Sequence, residues 1–80
     1  MREQEIRELL EAEVFRPFVL HLSDGASYEV RSRADVLATR SVVFVGIEPD
    51  ASGLPQRTVR IDPIHITRLT PVNGGDVKGR

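Results

Sequence analysis

The chain is predicted to form a small, mostly β domain (α+β by strict count). One N-terminal helix is followed by a strongly bent five-stranded antiparallel sheet or small barrel. Three observations lead there. Phe18–Arg31, FVLHLSDGASYEVR, alternates apolar and polar residues on both sides of a Ser-Asp-Gly turn. Ser41–Ile47, SVVFVGI, is the strongest strand signal in the chain. Ile6, Leu9 and Leu10 stand at i, i+3 and i+4, the spacing of an amphipathic helix over residues 2–13.

The helix comes first. Val14 extends its apolar stripe, and Glu3–Arg7 and Arg7–Glu11 form i, i+4 pairs, the first in the favourable order. So short a helix is marginal alone and must lean on an open end or edge of the sheet. Pro17 disfavours helix at Arg16, and Phe15 and Phe18 flank the passage from helix to strand.

The hairpin that follows has a register set by its turn. Strand side chains alternate, so Phe18, Leu20 and Leu22 share one face, as do Ala26, Tyr28 and Val30. A two-residue Asp24-Gly25 turn would place Leu20 opposite Glu29, bringing charge to the core face, and such a slip is costly where one face is buried. A three-residue loop, Ser23-Asp24-Gly25, instead pairs Leu22 with Ala26, Leu20 with Tyr28 and Phe18 with Val30. Its third residue needs positive φ, which glycine supplies at Gly25.

The returning strand is expected over Ala26–Ser32. Arg33–Arg40, RADVLATR, is read in two ways: Asp35 caps a single helical turn, or Val36 and Leu37 begin a short strand. In the next strand Val43, Val45 and Ile47 form one face and Val42, Phe44 and Gly46 the other. Apolar residues on both faces predict a central strand, or one whose second face is covered by the helix or by a neighbouring subunit. Gly46 marks a bend or a close backbone approach. Glu48–Gln56, EPDASGLPQ, reads as a loop. In Arg57–Asp62 beyond it, Val59 and Ile61 point inward, and Asp62-Pro63 interrupts the ladder because proline has no N–H to donate. A final strand over Ile64–Leu69 is paired with its neighbours by meander connections. Residues 1–71 make one domain and residues 72–80 a flexible tail; Gly74-Gly75 in that tail opens no helix and is not a phosphate loop.

Composition narrows the classes of function. Eighty residues bury little surface, and small domains often gain stability by self-association, so a homo-oligomer is expected. There is no cysteine, which removes disulfides and thiolate metal sites and fits a cytoplasmic setting. The start, MREQEIRELLEAE, lacks the apolar run of a signal peptide. No stretch approaches the roughly 20 apolar residues of a membrane span, so no membrane partner is expected. The net charge of −1 exerts no global pull on nucleic acid. Locally, residues 1–13 carry five glutamates against two arginines, while the remainder holds nine basic and seven acidic residues.

Candidate chemistry is sparse. Arg31, Arg33 and Arg40 flank one loop region, and Arg57, Arg60 and Arg68 lie on later strands at polar-facing positions. Guanidinium groups suit phosphate because they donate paired hydrogen bonds; a solvated, salt-bridged face is the simpler reading. His21 and His65 are the only histidines, each placed in an alternating strand opposite its apolar neighbours, where hydrogen bonding across a ladder or interface is the expectation and a metal site is not. His21, Ser23 and Asp24 are the residue types of a hydrolase triad. A tight hairpin offers no oxyanion-hole loop, and Ser23 and Asp24 serve the turn. No enzyme activity and no cofactor are expected.

At this point the pattern resembles the Sm-like family of small barrels, which includes the bacterial Sm-type RNA chaperone. The matching pieces are the N-terminal helix, FVLHLSDGASYEV, SVVFV and the closing IHITRLTP, together spanning roughly residues 3–71. The chain also resembles a group of small bacterial proteins that share the segments represented here by Pro17–Val30 and by HITR at His65–Arg68. The Sm-like resemblance implies a ring of subunits joined strand to strand, with RNA at loops near the pore. The family's Asp and Asn after the second strand are matched here only by Asp35 in Ser32–Arg40, and its Tyr-Lys-His run is replaced by Asp62, Pro63 and Ile64. The resemblance implies the barrel, and these departures put uridine binding in doubt. The expectation is therefore a non-enzymatic binding or assembly module that self-associates. An RNA-binding Sm-like ring is the alternative, and a small regulatory subunit of a larger bacterial enzyme the second alternative.

Overall fold

The structure, a computed structural model, describes residues 2–72. Helix α1 (Glu3–Glu11) is followed by β1 (Phe18–Leu22), β2 (Ser27–Val30), β3 (Val36–Ala38), β4 (Val43–Pro49), β5 (Pro55–Ile61) and β6 (Ile66–Pro71), with 3-10 turns at Arg33–Asp35 and Pro63–His65. The expected single five-stranded sheet is corrected to two antiparallel sheets of three strands, ordered β2-β1-β6 and β3-β4-β5, and neither closes on itself.

Two turns explain the difference. At Arg33–Asp35 the backbone tightens into a 3-10 turn and leaves the ladder, so β2 and β3 join different sheets. Asp35 is not the cap expected of it. Ser32 is, its Oγ accepting from the Ala34 N–H at 3.2 Å; a short hydroxyl ahead of the turn reaches the free donor that a carboxylate within it cannot. Both readings of this segment are thus realised in succession, turn then strand. At Asp62-Pro63 a second turn forms, capped by Asp62 Oδ1 on the Ile64 N–H at 3.1 Å. The last strand consequently starts at Ile66 rather than Ile64, which places His65 in a turn and not in a strand. β6 then returns to pair with β1 instead of continuing the meander beside β5.

The hairpin has the predicted register: Phe18↔Val30 and Leu20↔Tyr28, with the Leu22 N–H donating to Ala26 O at 2.8 Å. Gly25 has φ +93°, and Asp24 Oδ1 accepts from the Ala26 N–H at 2.9 Å. β4 is central, as predicted from its two apolar faces. Its inner face, Val43 and Val45, meets Ile61 and Val59 of β5 directly across the ladder. With Ile6, Phe18, Leu20, Val30, Val36 and Ile66 these valines and Ile61 form one buried cluster drawn from both sheets and the helix.

α1 is shorter than its apolar stripe predicts. It ends at Glu11, so Val14 lies beyond it and is exposed. Ile6 enters the core, Leu10 packs at its margin, and Leu9 turns partly to water. Arg7 reaches back to Glu3 at 3.1 Å, and the expected pair with Glu11 is absent; glutamate ahead of the cation is the better order on a helix. Among the described residues no helix is long and apolar enough to cross a membrane. Of the tail expected over residues 72–80, Val72 is anchored by its N–H to Pro17 O at 3.3 Å, and the remainder lies outside the described residues.

Candidate functional site

The six candidate arginines do not form one face. Arg31, just past β2, pairs with Glu29 of that strand at 2.7 Å, and Arg57 pairs with Glu48 across the β4–β5 ladder at 3.2 Å. Arg33 acts within the fold. Its guanidinium donates to Ala12 O at 3.2 Å and lies 5.7 Å from the centroid of the Phe15 ring, fastening the end of α1 to the Arg33–Asp35 turn. Arg40, Arg60 and Arg68 make no ion pair among the described residues. They stand apart. Arg40 borders a hollow with Arg2, Asp62 and Ile64. Arg60 faces outward from β5 beside Phe44, and Arg68 stands opposite His21 on the first sheet. Arg57 and Arg60 are three residues apart on one strand and so project to opposite sides.

The histidines mark a seam between β1 and β6. His21 Nε2 and Thr70 Oγ1 share a hydrogen bond at 2.9 Å, and Thr67 Oγ1 donates to His21 O at 3.1 Å beside the register shift between His21 and Leu22. His65, carried by the second turn, brings Nδ1 to 3.5 Å from Ser23 Oγ, while its carbonyl accepts from the Ser23 N–H at 2.8 Å. The triad types are therefore split: Ser23 neighbours His65, His21 is engaged with Thr70, and Asp24 is held by the turn. A cleft of about 400 Å³ opens here, with Ser23, Tyr28, Val59, Arg60 and His65 among the residues that line it. Its carboxylates, Asp24 and Asp62, each accept a backbone N–H. Among the described residues no group of three His, Asp or Glu side chains is placed to hold a metal ion.

The outer side of the second sheet presents a different surface. Directly opposed residues share a face, so Leu37, Phe44 and Arg60 form one cross-strand row, with Gly46 and Thr58 in the next. Leu37 is 61% exposed. Next to this row Pro55 lies over Gly46, and a hollow of about 300 Å³ is bordered by Asp35, Leu37, Phe44 and Thr58. The two-sided apolar pattern of SVVFVGI signalled this face; the sequence carried no signal that Asp35 and Arg60 would flank it.

The Ser52 hydroxyl, followed by the Leu54 and Ser52 N–H groups, donates to Asp50 in the β4–β5 loop and holds its carboxyl below the usual range. The same hydrogen bonds close the loop. Compared with family models, curated proteins and solved structures, the chain matches none.

Proposed function

We propose that this chain is a non-enzymatic binding or assembly module that self-associates through its sheet edges, in an Sm-like arrangement. The observation that carries this is the placement of β5 and β6. Each is the outermost strand of its own three-stranded sheet, and only the Asp62–His65 segment separates them. An outermost strand leaves a row of N–H and C=O groups without a ladder partner, and such edges join chains. Each sheet has two outermost strands, β2 and β6 on one and β3 and β5 on the other, and the pairing proposed is that of β5 of one copy with β6 of the next. The Sm-like reading is supported by the return of β6 to β1 and by the short break between β2 and β3, which turns one bent ribbon into two sheets.

The test is the native mass of the purified chain by light scattering, with any copurifying nucleic acid retained. A defined multimer at micromolar concentration is expected; a monomer at high micromolar concentration overturns the reading. The RNA-binding alternative rests on Arg40, Arg60 and Arg68 having no acidic partner among the described residues. It requires poly-U or poly-A binding that weakens as salt rises, through counterion release. No binding at low salt removes it.

A further inference from the structure

We propose that the outer face of the β3-β4-β5 sheet is a second self-association surface, on which two copies pack face to face about a two-fold axis. This rests on the assembly reading above and adds a contact distinct from the strand edges. The centre of the face is apolar: Leu37 and Phe44 lie side by side across the β3–β4 ladder, and the hollow beside them is bordered by Pro55 and Gly46. On one flank stands Arg60, directly opposite Phe44 on β5. On the other stands Asp35, at the entry to β3 and on the rim of the hollow. Neither makes an ion pair among the described residues.

A two-fold interface uses the same patch on both copies, so the patch must complement itself. This one does. Arg60 on β5 and Asp35, in the turn that leads into β3, lie on either side of β4, about 10 Å apart across two strand spacings, and displaced along the strand direction. An axis lying between the faces and crossing β4 between Phe44 and Gly46 carries the Arg60 of each copy onto the partner's Asp35. Two opposite-charge contacts then bracket a centre made of Leu37 and Phe44 from both copies. The two flanks carry opposite signs of charge, which a second copy of the same face complements.

The experiment measures the association of the full chain by sedimentation equilibrium for wild type, Asp35→Arg, Arg60→Asp, the double reversal and Leu37→Asp. Each single reversal is expected to weaken the two-fold step by about tenfold or more, because two symmetric contacts become repulsive. The double reversal restores it to within about threefold, which no general damage to the fold can do. Leu37 is largely exposed, so Leu37→Asp keeps the fold and still abolishes the step. A wild-type chain that remains monomeric overturns both this proposal and the assembly reading. A multimer whose mass and affinity none of the four variants changes overturns the face contact alone and leaves edge-to-edge assembly standing.

Discussion

Gly46→Ala tests whether the close approach inside the second sheet is real. An ideal Cβ at Gly46 would lie 2.5 Å from Pro55 Cγ and 2.7 Å from Pro55 Cβ, with Asp35 O at 3.4 Å. Those proline atoms belong to a rigid ring at the first residue of β5, opposite Pro49 in the ladder. The ring cannot swing aside as a flexible side chain would, so strand or turn must shift. Overpacking of this kind costs about 1–3 kcal/mol. Alanine returns about 0.5–1 kcal/mol by restricting the unfolded chain. The net loss is then roughly 0–2.5 kcal/mol, and in a domain of this size each kcal/mol lowers Tm by about 4–8 °C. The assay is thermal and urea unfolding of wild type, Gly46→Ala, Pro55→Gly and the double variant. Glycine at 55 removes both Cβ and Cγ, the two atoms that the new methyl meets, so the coupling energy of the double variant is expected to offset most of the Gly46→Ala loss. Gly46→Ala more stable than wild type, or a loss that Pro55→Gly fails to relieve, would refute the packing argument.

Three further outcomes follow from the same structure. Gly25→Ala strains a residue at φ +93° whose added methyl meets nothing within 4 Å, so a loss of about 1 kcal/mol in urea unfolding is expected from backbone strain alone; no loss argues against the bulged turn. Asp50→Ala removes a carboxylate held ionised by Ser52 and Leu54. Its folded-state ionisation lies below the unfolded one, so the stability gap to wild type is present above the ordinary carboxylate value of 3.8 and narrows as pH falls through the lower folded value; a gap independent of pH from 6 to 2 contradicts this. Arg33→Ala frees Ala12 O and uncovers Phe15, and faster amide exchange in α1 is expected with about 0.5–1 kcal/mol of lost stability. Unchanged exchange in α1 would show that the contact does not hold the helix.

The residues that sequence reasoning placed well are those whose environment is local. Ser23-Asp24-Gly25 sets its own register because only one pairing keeps Glu29 off the core face, and only glycine accepts the left-handed conformation at the third position. Val43 and Val45 are identified as core by a period of two, and Gly46 as a close approach by its lack of a side chain among strand formers. The arginines were not legible in the same way. Arg33 is expected on a solvated, salt-bridged face or against phosphate, yet its partners, Ala12 and Phe15, are brought to it by the packing of α1, and no spacing in the chain encodes that. His65 was misplaced because one hydroxyl-free carboxylate, Asp62, bonds the Ile64 N–H and converts an apparent strand into a turn.

By itself, then, the order of amino acids determined the N-terminal helix, the β1–β2 hairpin and its register, the strand character of β4, the inward residues Leu20, Val30, Val45 and Ile61, and the central position of β4. These depend on side-chain alternation and on backbone angles, which act over a few residues. Only the tertiary structure decided that β6 returns to β1, that the break at Arg33–Asp35 divides one sheet into two, and that Asp35 and Arg60 flank the same apolar face. Those outcomes depend on which distant edges meet, and an alternating strand satisfies many partners equally until burial of a shared core selects one.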